Sequence, residues 1–430
     1  ESDRPTQLLA KAPTPGEIAE QSVHESSQVN SAWMSNGVLV HHRFMDIQKD
    51  RVVVTISLAG AELLETAQNH GVSEAAGLAW SEPATRTLSS TNVRDLMTGK
   101  KVSVSGGSGP DTFTLSVSGS PEELEAGMQL AYLLLTEPKV EQAAFDRWKV
   151  QSKQELEQMR TTPQGRIAEL LPDTILPKGE VRNRPMTVEA LDRLSLNDAQ
   201  AWLDKTVASA PIEVSIVGDV PKEKALELAR MYVGSLGSRS RIGADSLAEF
   251  RNIQRPKGPL NNAHEMETLT PLGIVVAGFF GADAVNVRDS RLLQMSSRVL
   301  STRMIKKLRE EEQLVYSIGV QSQPGTVFPG YGLVFAAAPT DPSKTARLGE
   351  RVHEMFAEFA AGGPTEEELT VARKQFANQI DEAMKQPSFW SQQLSNLAYR
   401  GRSLDDVMNS NEAFQAFSAS DLREGFARYY

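Results

Sequence analysis

Apolar and polar residues alternate, or β-branched residues cluster, at 37–44, 51–58, 112–118, 211–218, 273–280 and 332–338, and these patterns predict strands. Elsewhere the apolar residues recur at helical spacing. Ser120-Pro121-Glu122-Glu123 opens one such stretch: Ser120 suits an N-cap, Pro121 the first helical position and Glu123 the far side of a capping box. The helix it predicts carries Leu124, Met128, Leu130, Ala131, Leu134 and Leu135, and breaks at Pro138. A long polar helix is expected from about 141 to 160, then Pro163 and a further helix.

The same order returns later. Strand 332–338 leads to a helix with Leu348, Val352, Met355, Phe356 and Phe359, closed by Gly362-Gly363-Pro364. Thr365 then caps a long helix through Lys385, with Glu368 placed to complete the box, and Pro387 stops it. Pro138 to Pro163 is 25 residues and Pro364 to Pro387 is 23; the next caps, Ser195 and Ser418, follow at 32 and 31. Agreement at three landmarks identifies a repeat of roughly 200 residues. The expected fold class is α+β: two homologous lobes, each a mainly antiparallel sheet with helices packed on one face. Expected boundaries are 1–30 for a linker or leader and 31–244 for the first lobe, then 245–264, with Pro256, Gly258 and Pro259, for an interlobe linker and 265–430 for the second lobe. The helix after Ser195 runs on to strand 211–218, whereas the chain reaches Tyr430 before any counterpart follows Ser418. The second lobe is therefore expected to lack its final strand, or to take one from elsewhere.

Length agrees with this division, since 430 residues exceed the ~250–300 at which single cores stop growing. A net charge of −10 argues against nucleic acid, which needs clustered Lys and Arg. No apolar run approaches the ~20 residues of a membrane span. Absence of cysteine removes disulfides, thiolate metal sites and a cysteine nucleophile, and leaves the compartment open between bacterial periplasm and cytoplasm. Residues 1–30 lack the apolar core of a signal peptide, and a start at Glu1 reads as a piece of something longer.

Candidate chemistry is sparse. The histidines are His24, His41, His42, His70, His264 and His353, and no two share a helix face at i and i+4 with a glutamate between them. His41 and His42, adjacent in a strand, must point to opposite faces. There is no Gly-x-Ser-x-Gly elbow and no phosphate loop, and Gly106-Gly107-Ser108-Gly109-Pro110 reads as a hairpin turn. Residues 301–319 stand out: a helix with Met304, Ile305 and Leu308 on one side, ending at Glu312-Gln313, then a strand from Leu314. Arg309 on the last turn and Tyr316 early in the strand could hold peptide carbonyl oxygens through guanidinium and phenol donors. Spacing alone favours the plainer alternative, a helix-end salt bridge for Arg309 and a core position for Tyr316.

Leu308-Arg-Glu-Glu-Glu-Gln-Leu-Val-Tyr-Ser-Ile318 resembles the "LRE…LAYS" segment of the insulinase/pitrilysin zinc peptidases, and Trp33-Met-Ser-Asn-Gly-Val-Leu-Val40 is similar to their "LxNGLxV" first strand. The helix starts at Ser120 and Thr365 fit the same family, so the likeness covers about 30–430. It implies half of a clam-shell peptidase, two such halves enclosing a chamber where peptides are cut. The active half carries His-x-x-Glu-His, two zinc ligands and a general base. Here the corresponding stretch reads Ser73-Glu-Ala-Ala-Gly-Leu-Ala-Trp-Ser-Glu-Pro83, with neither ligand nor base. The resemblance therefore implies the C-terminal non-catalytic half, inactive alone, with no metal or catalytic residue of its own. Its partner would be a zinc-bearing half in the same or another chain, and its substrates peptides. Arg309 and Tyr316 match the arginine and tyrosine, seven apart, with which such halves touch substrate. A structural subunit with the same fold and no proteolytic role is the alternative.

Overall fold

The computed structural model describes residues 4–430, and the chain forms two compact units. The first comprises the segments up to Leu156, Gly179–Phe250 and Met384–Leu404; the second comprises Glu157–Lys178, Arg251–Ala383 and Asp405–Tyr430. The units are therefore not the two consecutive halves that the repeat predicts. In each half the segment following the long polar helix, Gln142–Met159 or Glu366–Met384, belongs to the other unit. The exchange is itself symmetric in the repeat.

Seven strands make the first unit's sheet: β1 Ile18–His24, β2 Val29–Met34, β3 Leu39–Phe44, β4 Val52–Ala59, β5 Val102–Ser108, β6 Thr112–Gly119 and β7 Ile212–Gly218. Their order is β1-β2-β3-β7-β4-β6-β5, and every pairing is antiparallel except β3 with β7. On β6, alternation buries Phe113, Leu115 and Val117 against the helix Leu124–Thr136. β7 is buried at every residue because it lies between β3 and β4 and is covered on both faces. Ile212, Val214 and Ile216 enter the main core, whereas Glu213 and Ser215 face the segment Met384–Leu404.

Polar groups hold that segment. The Glu213 carboxylate, fully buried, accepts the Ala398 N–H at 2.8 Å and the Tyr399 N–H at 3.1 Å, and lies 2.6 Å from His41 Nε2. His41 Nδ1 is in turn 2.8 Å from the Ser31 hydroxyl. The Arg400 guanidinium forks onto the buried Asp111 carboxylate, with Nη2 at 2.7 Å from Oδ1, and Arg43 stacks 4.3 Å above the Trp390 ring.

Residues 18–30 depart from the expected linker, since β1 and the start of β2 lie within the sheet; residues 1–3 fall outside the described structure. β1 is polar on both faces and exposed along most of its length, so it has no alternation to betray it. Its backbone ladder to β2 holds it. A second correction concerns Ser120. The helix begins at Leu124, the Ser120 hydroxyl has no hydrogen-bond partner among the described residues, and the Glu123 carboxylate instead accepts the Lys101 N–H at the entry to β5. The caps at Ser195, Thr365 and Ser418 form as expected, with Thr365–Glu368 and Ser418–Asp421 as reciprocal boxes.

The second unit's sheet has three described strands, β8 Gly273–Gly281, β9 Gly319–Gln323 and β10 Gly332–Thr340, in the antiparallel order β8-β10-β9. Val334, Ala336 and Ala338 of β10 meet Leu292, Leu293 and Leu300 from the helix Val287–Met304, and Leu348, Phe356 and Phe359 from Thr345–Gly362. β8 pairs with β10 alone, whereas its counterpart β4 has β7 on its other side.

Candidate functional site

Helix Val287–Met304 buries Leu292, Leu293, Val299, Leu300 and Met304 on one face, and at Ile305 it widens into a π-helix that runs to Glu311. The Glu312 N–H reaches back five residues to the Lys307 carbonyl at 3.0 Å. Gln313 then takes a left-handed conformation (φ 55), and the Leu314 N–H closes the turn on the Leu308 carbonyl at 2.8 Å. The strand begins only at Gly319, five residues later than the sequence pattern predicts. Val315 and Ile318 explain the difference: both are buried, and a spacing of three cannot put two side chains on one face of a strand.

This irregular link is pinned from beneath. Arg351, on the helix Thr345–Gly362 and nearly buried, lies 3.1 Å through Nε from both Glu312 oxygens and 2.9 Å through Nη2 from one of them. Its Nη1 donates to Glu354 at 2.6 Å. Hydrogen bonds donated to the two carboxylates raise the Arg351 guanidinium above its ordinary pKa. The Thr340 hydroxyl donates to the Leu314 carbonyl at 2.6 Å and Lys344 Nζ to the Gln313 carbonyl at 3.3 Å.

On either side of the pinned link, Arg309 and Tyr316 project into solvent. Arg309 is exposed and Tyr316 is 88% exposed, and neither makes a hydrogen bond or ion pair with a described residue. Neither the helix-end salt bridge nor the core tyrosine describes them. The arrangement offers two unspent donors, a planar fork and a phenol, on a backbone that is fixed between them. The Glu312–Arg351 clamp escapes sequence reasoning because its partners are 39 residues apart. One signal was present: Arg351 interrupts the apolar stripe Leu348, Val352, Met355, where a cation is retained only with a partner.

The stretch 73–83 is filled differently. The Glu65 carboxylate accepts the Gly71 N–H at 2.8 Å, the Ser73 N–H at 2.9 Å and the Ser73 hydroxyl, and so starts the short helix Val72–Ala76. Trp80 is fully buried, lies tilted against Phe113 with ring centroids 4.3 Å apart and donates to the Leu134 carbonyl at 3.0 Å. His41 and His42 sit on opposite faces of β3, His42 Nε2 lying 2.8 Å from the Val220 carbonyl. Among the described residues no three His, Asp or Glu side chains are grouped to hold a metal ion, so these residues do not fit a zinc site.

Four titratable groups share this corner. Burial raises Glu62 and Glu74 above the ordinary carboxylate range. Burial also pushes Glu65 up, but hydrogen bonds from His70, Ser73 and Gly71 outweigh it and hold the carboxyl low. His70 Nδ1 is 3.2 Å from Glu65; burial pushes the imidazole down, and the Glu65 bond and charge raise it further than that. The raised His70 stabilises the fold fully below the ordinary histidine pKa and loses that contribution as pH climbs through the raised value. Glu62 and Glu74, which hold their protons more tightly when folded, change stability in the same direction; Glu65 opposes them only in acid. Thermal melts from about pH 5.5 to 8 should show wild type losing its advantage over His70→Gln as pH rises. A gap independent of pH would contradict the assignment.

Residues 193–376 match the family model of the peptidase M16 inactive domain. The fold matches the periplasmic protease PqqL from Escherichia coli at TM-score 0.79 and 19% identity, over 99% of this chain and 46% of that one. It also matches a peptidase M16 inactive domain from Pseudomonas fluorescens at TM-score 0.78 and 15% identity, over 94% and 95% of the two chains. The fold is that of a peptidase M16 inactive domain. The chain spans about half the length of PqqL. A chain of complex III2 from Candida albicans shares the fold at TM-score 0.69 and 13% identity, over 93% and 92% of the two chains. No curated protein matches the sequence. No helix of the described residues is long and apolar enough to cross a membrane.

Proposed function

We propose that the chain is the substrate-contacting wall of a zinc metallopeptidase, and that the metal and general base belong to a zinc-bearing half in the same polypeptide or a separate subunit. The observation that carries the reading is the pair of free donors, Arg309 and Tyr316, held by a pinned link. A structural tyrosine would bury its ring, and a structural arginine on a helix end would find a carboxylate; these do neither. As the scissile carbonyl becomes an oxyanion, donors of this kind strengthen their hydrogen bonds and lower the barrier by about 2–4 kcal/mol. The half contributes positioning and charge stabilisation and no nucleophile.

Mixing the purified chain with a zinc-bearing M16 half and an unstructured peptide tests the proposal. Cleavage is expected in the mixture, and none from this chain alone. Equal cleavage by the zinc-bearing half with and without this chain would end it. A scaffold reading draws on the likeness to a chain of complex III2. It predicts association without any gain in cleavage.

A further inference from the structure

A cleft of about 280 Å³ lies in the second unit between helix Val287–Met304 and the outer edge of β9. β9 ends the sheet, so its far edge has no strand partner among the described residues. The helix covers part of that edge: the Ser301 hydroxyl accepts the Val320 N–H at 2.8 Å and donates to the Val320 carbonyl at 3.2 Å. Val320 thus turns both backbone groups away from β10. Backbone direction alternates in an antiparallel ladder, so Ser322, two residues on, faces the cleft in the same way. No described residue takes its outward N–H or carbonyl.

The cleft also has a charge. Gln294, Ser297, Arg298 and Ser301 line its helix side at one-face spacing, and no carboxylate lines it anywhere. Arg298 is preorganised: its guanidinium lies 4.9 Å over the Phe376 ring, and Nη2 donates to Gln379 at 2.8 Å. Its remaining N–H groups have no described partner. An exposed strand edge beside a fixed, unpaired guanidinium suits an extended chain with an acidic side chain. The helix that lines the cleft continues into Arg309, and Tyr316 immediately precedes β9.

We propose that this cleft is a second peptide subsite, in which an extended substrate segment pairs its backbone with Ser322 of β9 and presents an aspartate or glutamate side chain to Arg298. The proposal rests on the peptide-binding reading of the chain and adds a preference for acidic segments.

Fluorescence anisotropy with the whole chain tests it, using a labelled unstructured peptide with glutamate at alternate positions and the same peptide with glutamine. The glutamate peptide should bind about tenfold more tightly, and Arg298→Gln should erase the difference. Ser322→Pro removes the outward N–H at an edge position where proline is tolerated, and Gln294→Trp fills the cleft from an exposed position. Each should weaken both peptides about tenfold with the melting transition unchanged. If Ser322→Pro disturbs the fold, Gln294→Trp decides alone. Equal binding of the two peptides, wild-type affinity in Gln294→Trp, or no binding by the wild-type chain overturns the subsite. Arg309→Ala separates the two claims in the reconstituted cleavage assay. Cleavage that falls with Arg309→Ala but not with Gln294→Trp leaves the peptidase wall standing and removes the subsite.

Discussion

Arg309→Ala is expected to lower kcat/KM for peptide cleavage by the reconstituted halves about a hundredfold, and Tyr316→Phe about tenfold or more. If both side chains grip the oxyanion rather than the ground-state carbonyl, the loss falls on kcat, with KM little changed. Stability should not move, because both side chains are exposed and neither makes a described hydrogen bond or ion pair. Arg351→Met behaves differently. It leaves Glu312 without its cation, and Glu354 with only Arg347 at 3.9 Å, so kcat and the melting temperature should fall together. Restoring the cation as Arg351→Lys should recover stability more than rate, since an ammonium cannot reproduce the forked hold on Glu312. Unchanged kinetics in Arg309→Ala would show that the exposed pair is idle.

Glu213→Leu should be the most destabilising single change in the first unit. The carboxylate is fully buried and serves the Ala398 and Tyr399 N–H groups and His41. A leucine of similar size leaves all three unsatisfied, at a combined cost of about 3–5 kcal/mol. The unit's melting temperature should drop by about 10 °C. Amide exchange should accelerate first at Ala398 and Tyr399, because Glu213 holds their N–H groups directly. Differential scanning calorimetry and hydrogen exchange would show both. A loss below about 1 kcal/mol would mean that water or another group replaces the carboxylate.

These two sites differ in how far the sequence disclosed them. β6, the helix Thr345–Gly362 and the caps at Ser195, Thr365 and Ser418 were legible because their signals are local: alternation on Phe113, Leu115 and Val117, or a helical stripe on Leu348, Val352 and Met355. β1 was not, since its ladder to β2 and the Glu20–Arg241 ion pair hold it and most of its side chains are polar on both faces. Arg309 and Tyr316 could be named from type and spacing, but their exposure depends on the π-helix and on the buried Val315 and Ile318, which no period of two or 3.6 reports. The exchange of Glu157–Lys178 and Met384–Leu404 between units was equally hidden. The place of Met384–Leu404 is fixed by pairings such as Glu213 with Tyr399 and Asp111 with Arg400, whose partners are 186 and 289 residues apart.

Photo-crosslinking from position 316 tests most directly whether this face holds substrate. A benzophenone side chain in place of Tyr316, in the chain paired with a zinc-bearing half made inactive at its general base, should capture an unstructured peptide on irradiation. The same group at exposed Val371 should not. Crosslinking from 316 that unlabelled peptide competes away is the predicted result. Capture at 371 equal to that at 316, or none at 316, would contradict the account.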